Sequence, residues 1–176
     1  TFLEKMFDVI NRDDNCSLVF SDFLIKDRFS DKQIPITISS SNSNSKFIRY
    51  LFRVIDIQPH LIYGLFRSKM LNANHIKKMD FFDVNLSTIF AIEGKIKIVH
   101  EYLFEWIIDK KRNSYSIDNK TKPSVWKFIW FQLKICHKNF GLIRTLMALI
   151  FLLKFITNNI INRFLSPNSF NINFNE

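Results

Sequence analysis

Lys127, Lys134 and Lys138 recur at spacings that place them on one side of a helix, and Arg144 follows six residues later. They are interleaved with Trp126, Phe128, Trp130, Phe131 and Phe140. Cationic side chains meet phosphate, and aromatic faces stack on bases, so this mixture suits RNA. It suits equally an amphipathic helix on an anionic membrane, with tryptophan at the headgroup level. These four cations are therefore the candidate contacts to an anionic partner, RNA or phospholipid, through residues 110–163. The third reading is a basic face that is merely solvated.

No other constellation competes with them. The three glycines cannot build a dinucleotide or phosphate loop, and no metalloprotease, nucleophile-elbow or EF-hand string occurs. His60, His75, His100 and His137 are scattered. Cys16 and Cys136 are too few for a disulfide framework and form no CxxC pair. The acid pairs Asp13–Asp14 and Asp80/Asp83 lie in polar turns, where capping is the usual role. The chain is expected to have no catalytic residues, no metal site, no cofactor and no small-molecule substrate. A protein partner is the first expectation.

The charge distribution sharpens the anionic reading. The net charge is +9. Residues 1–109 hold 14 Lys/Arg and 14 Asp/Glu, whereas residues 110–176 hold 11 Lys/Arg against Asp118 and Glu176. No acid lies between those two, and such asymmetry points to an anionic surface. The 176 residues are 47% apolar, enough for a real core. The abundance of Phe, Ile, Asn and Lys matches A/T-rich codons and reports genome bias rather than function. Residues 1–15 lack the basic and long apolar regions of a secretory signal, and an intracellular protein is expected.

These residues need elements to position them. TFLEKMFDVI carries Phe2, Leu3, Met6, Phe7 and Ile10 on a helical stripe. SLVFSDFLI is apolar and fits helix or strand. Ile34, Ile36 and Ile38 alternate as in a strand, which Pro35 demotes to an edge or a loop. SSSNSNSK reads as a linker. FIRYLFRVID, PHLIYGLFRSKM, NLSTIFAIE, KIKIVHEYLFEWIID, SVWKFIWFQLKICHKNF and LIRTLMALIFLLKFITNNIINRFL follow as helices, with Ser124 an N-cap. The organisation expected is an N-terminal helix and irregular segment (1–38), a polar linker (39–46), an α-helical domain (47–165) and a disordered tail (166–176). The fold class is mainly α: packed helical hairpins or a short repeat array.

The run beginning at Ala91 supplies a resemblance. Ala91, Gly94, Ile98, Val99 and Leu103, with Tyr102 and Phe104, resemble the second half of an ankyrin repeat: a small residue, a Gly turn, then an apolar helix. The T-P-L-H opening of that family is replaced by Leu86, Ser87, Thr88 and Ile89. The three glycines fall 30 and 47 residues apart, against an ankyrin period of about 33. The resemblance covers residues 85–107 and implies a scaffold that binds a protein. Two alternatives remain open: an RNA-contacting subunit of a large assembly such as an organellar ribosome, and a membrane-complex subunit anchored by residues 142–161. In that window the longest charge-free apolar run, Thr145–Leu153, falls short of the roughly 20 residues a span needs.

Overall fold

A computed structural model describes residues 1–29, 32–57, 59–70, 82–108 and 125–165. The chain divides into two units, Thr1–Phe128 and Ile129–Glu176. The expected linker, at 39–46, falls within the first. The polar loop at 110–123, Ser124 and the tail at 166–176 lie outside the described residues.

The expectation of a mainly α fold is overturned. The first unit is built on a mixed four-stranded sheet combined with helices, an α/β arrangement. The elements are α1 (Phe2–Asn11), β1 (Cys16–Asp27), β2 (Gln33–Ile36), α2 (Lys46–Ile55), β3 (Leu65–Phe66), α3 (Phe82–Glu93), β4 (Lys95–Ile108) and α4 (Val125–Leu165), with 3-10 turns at Pro59–Tyr63 and Ser68–Met70. β1 is central. β4 pairs with it in parallel along its whole length, from Cys16–Lys95 to Asp27–Ile108. That leaves the other edge to β3, antiparallel at Leu18–Val19, and to β2, antiparallel from Phe23 to Lys26. β2 carries Pro35 on the edge, as its missing N–H requires.

β1 is paired on both edges and covered on both faces, so it reads as a continuous buried run rather than an alternating one. Consecutive residues serve opposite layers. Cys16 packs with Met6 and Ile10 of α1. The Ser17 hydroxyl lies 2.8 Å from the Phe90 carbonyl and 3.1 Å from the Lys95 carbonyl, at the end of α3. Burial pushes the Cys16 thiol up and keeps it protonated. α3 is buried on every side from Val84 to Ile92, its polar Asn85, Ser87 and Thr88 included, and the Ser87 and Thr88 hydroxyls donate back to Val84 O at 2.8 and 3.0 Å.

The segment after Gly94 is the largest departure from the sequence reading. The helix expected over 95–109 is the strand β4. Lys97 and Glu101, which would pair one turn apart on a helix, do not meet, because residues four apart on a strand lie about 13 Å from each other. Lys97 instead meets Asp13 at 2.8 Å, and Glu101 pairs with Lys5 of α1. The resemblance implies a glycine turn at Gly94, which could use the left-handed conformation that ends a helix. Among the described glycines only Gly141 has a positive φ. Gly94 is required for close approach: a Cβ there would sit 2.5 Å from the Asn15 carbonyl oxygen and 2.8 Å from Ser17 Cβ. PHLIYGLFRSKM, also read as a helix, is two 3-10 turns around the short strand β3.

α2 forms where expected, with Val54 inward, but two arginines share its buried side. Its buried residues are Arg49, Tyr50, Arg53 and Val54, while Ile48, Phe52 and Ile55 are exposed. The reason is backbone satisfaction. Arg49 Nε donates to Ala91 O at 2.7 Å and Nη2 to Ile92 O at 3.2 Å; Nη1 donates to Ser43 O at 2.7 Å and Asn44 O at 3.1 Å. One guanidinium thus serves the carbonyls at the end of α3 and those of the segment before α2. Arg53 Nη2 donates to Ser39 O and to Asp56 Oδ2, both at 2.9 Å. Arg67 plays the same part beneath α1, donating to Ile10 O, Asp13 O and Cys16 O.

Two outcomes test this frame. Arg49→Ala should lower unfolding free energy by about 3 kcal/mol or more, since it orphans buried carbonyls, and Arg49→Lys should recover only part because it lacks the fork; denaturant titration measures both. Asp13 has its carboxyl held below the usual carboxylate range by its hydrogen bond to Lys97, with the Asn15 N–H bond and the Lys97 and Lys95 charges adding to it against a desolvation cost. A depressed folded pKa gives stability that is full above the ordinary carboxylate range and lost as pH falls through the folded value. Melting temperatures against pH should therefore show a shallower acid limb in Asp13→Asn.

Candidate membrane-binding surface

The four predicted cations all lie on α4. Gly141, at φ 79° and ψ 179°, breaks that helix into halves at 125–140 and 142–165. Side chains tidy the break: Asn139 donates to Ile135 O at 2.9 Å, and the Thr145 hydroxyl donates to Gly141 O at 2.8 Å. A glycine is required there because other residues rarely adopt this positive φ.

On the first half the structure exposes Lys127, Lys134 and Lys138, as the spacing predicted. Trp126 and Trp130 are exposed beside them, at 73% and 72%. The opposite stripe, Phe128, Ile129, Gln132 and Cys136, is buried. Arg144 is exposed too, but it belongs to the second half, beyond the break. The structure therefore groups three of the four cations on one continuous helix and sets the fourth on another.

The second half carries the feature that cation spacing missed. Ala148 and Leu152 are fully buried, and Thr145 and Leu149 partly so, forming one inner stripe. Around the remaining circumference Leu142, Ile143, Leu146, Met147, Ile150, Phe151 and Leu153 are all exposed, from 41% to 78%. The sequence signal is the all-round apolar character of LIRTLMALIFLL, which by sequence alone reads first as a core helix and only second as a membrane segment. In the apolar 18-residue window within Trp126–Lys154 only 17% of the residues are buried. Among the described residues, Trp126–Lys154 is the stretch that passes as a membrane span by length and composition alone, with the Gly141 break left out of account.

The first unit holds a second, smaller aromatic group. His60 stands edge-on to Phe23 at 4.8 Å and tilted over Trp106 at 4.6 Å, while Tyr63 stacks on Phe104 at 5.9 Å. Burial lowers the His60 pKa against the opposing pull of Asp83, which favours the neutral ring. His100 Nδ1 lies 3.1 Å from the buried Asp22, which also accepts the Ile38 N–H at 2.8 Å. These side chains tie the 3-10 turn and the 36–38 segment to the sheet. No group of three metal-ligating side chains occurs among the described residues. The surface of α4 is thus the candidate site. No family model, curated protein or solved structure matches the chain.

The two sides of the second half should respond oppositely to mutation. Leu152→Ala should cost about 2–5 kcal/mol as a core truncation. Ile143→Asn or Ile150→Asn should change stability by less than about 0.5 kcal/mol, as exposed substitutions do. Thermal or denaturant melts of the three variants check this, and equal losses would mean that the outer face is packed.

Proposed function

We propose that this is a membrane-attached, non-enzymatic interaction protein: the second unit seats on a phospholipid surface, and the α/β unit is the part that meets a protein partner. The observation that carries the reading is the exposed apolar arc of residues 142–153. Fully burying a large apolar side chain is worth roughly 1.5–3 kcal/mol. Seven such side chains, about half exposed, leave on the order of 5–10 kcal/mol to be gained on leaving water. Isolated soluble proteins rarely expose so continuous an apolar surface.

The accompanying residues favour lipid over other covers. α4 also carries exposed lysines, an arginine and two exposed tryptophans, the mixture found where an apolar surface meets anionic headgroups. The excess charge of residues 110–176, with no acid between Asp118 and Glu176, suits an anionic bilayer and would hinder docking on a basic protein. RNA is the second reading, supported by the same cations and by Trp126 and Trp130; it leaves the apolar arc without a role.

Vesicle flotation of the full chain separates the readings. Flotation with phosphatidylcholine–phosphatidylglycerol vesicles, reduced at least tenfold in an Ile143→Asn/Ile150→Asn double variant, is the expected result. A chain that stays at the bottom of the gradient with every vesicle composition, while binding homopolymer RNA in low salt, would establish the RNA reading instead. A chain indifferent to both would overturn the lipid seat.

A further inference from the structure

We infer that the second half of α4 lies in the plane of one leaflet of an anionic bilayer rather than crossing it. This rests on the membrane seat proposed above and adds its topology and its lipid chemistry.

Length argues first. The apolar stretch Trp126–Lys154 would be 29 residues as one helix, but Gly141 divides it into segments at 126–140 and 142–154. Neither reaches the roughly 20 residues that cross about 30 Å of hydrocarbon. Within the second segment the charge-free run from Thr145 to Leu153 rises only about 14 Å. Extending the window to residue 161 brings Lys154 within about 4 Å of its midpoint. A lysine at that depth costs roughly 2.5–3.5 kcal/mol, and Asn158 and Asn159 would follow it into the hydrocarbon.

The arrangement around the helix argues second. At about 100° per residue, Leu142, Ile143, Leu146, Ile150 and Leu153 fall within an arc of about 100°. All five are exposed. They make one ridge along the helix, with positions 142, 146, 150 and 153 in line. Ala148 and Leu152, fully buried, lie away from that ridge. Arg144 and Lys154 are exposed on the flank between the ridge and the buried stripe, which they share with the less exposed Met147 and Phe151. A spanning helix has no reason to gather its cations on one flank at both ends of its apolar run. A helix lying flat does: the ridge sinks below the headgroups while the flank stays level with the phosphates. On the half before Gly141, Lys134 and Lys138 share an exposed side next to Trp130, and they extend the same phosphate-facing chemistry.

The test uses the full chain with a different epitope tag at each end, added to sealed vesicles. With 30% phosphatidylglycerol the protein should float, and external protease should remove both tags without detergent. Binding should fall at least tenfold on pure phosphatidylcholine, and equally for Lys134→Glu/Lys138→Glu on anionic vesicles. Ile143→Asn/Ile150→Asn should weaken binding on both compositions. Flotation with one tag protected until detergent is added would overturn the in-plane seat while leaving membrane attachment standing. Equal binding to pure phosphatidylcholine and to anionic vesicles would overturn the headgroup preference. No flotation on any vesicle would remove the membrane seat itself.

Discussion

The first unit depends on one side chain more than any other: Arg49, buried, with its guanidinium shared among four carbonyls. A helix ends with carbonyl groups that have no partner within it. α3 is buried on all sides, so water cannot supply one. Arg49 reaches across from α2 to Ala91 and Ile92 and simultaneously fixes the chain at Ser43 and Asn44. The Ser17 hydroxyl takes the neighbouring carbonyl of Phe90. With the end of α3 held from two elements, the chain leaves Gly94 at one place and in one direction. β4 then runs parallel to β1. The cost is an apolar ridge on the outside of α2, which burying the arginines forces into solvent.

That exchange explains much of what the sequence concealed. In FIRYLFRVID hydrophobic periodicity finds the helix and puts Val54 inward, but it does not foresee Arg49 and Arg53 on the same buried side. Only the need of distant carbonyls, at 43–44 and 91–92, brings Arg49 inward, and a local pattern cannot carry that. KIKIVHEYLFEWII is ambiguous for another reason. Ile96, Val99, Leu103 and Trp106 fit a helical period, but Ile96, Ile98, Tyr102, Phe104 and Trp106 are also even-numbered and fit a period of two. Its β-branched and aromatic content favoured the strand, and pairing with β1 decided it. The buried run SLVFSDFLI could be read as helix or strand for the same lack of a partner. α1, the edge strand with Pro35 and both halves of α4 were legible, because each is specified by its own periodicity and boundary residues.

The candidate surface was half legible. Helical spacing alone placed Lys127, Lys134 and Lys138 on one exposed side. The apolar arc that faces outward could not be read, since LIRTLMALIFLL is as apolar on its inner side as on its outer one. Its direction comes from Ala148 and Leu152 being the buried positions. Gly141 was visible as a boundary, but its consequence was not: it divides a stretch that composition alone would rank as a membrane span into two helices, at 125–140 and 142–165.

Hydrogen–deuterium exchange of the full chain, with and without phosphatidylglycerol-containing vesicles, addresses the central claim most directly. Slowed exchange confined to peptides within residues 126–154, with 1–108 unchanged, is the predicted result. Unchanged exchange across 126–154, or slowing confined to the α/β unit, would contradict a lipid seat on α4.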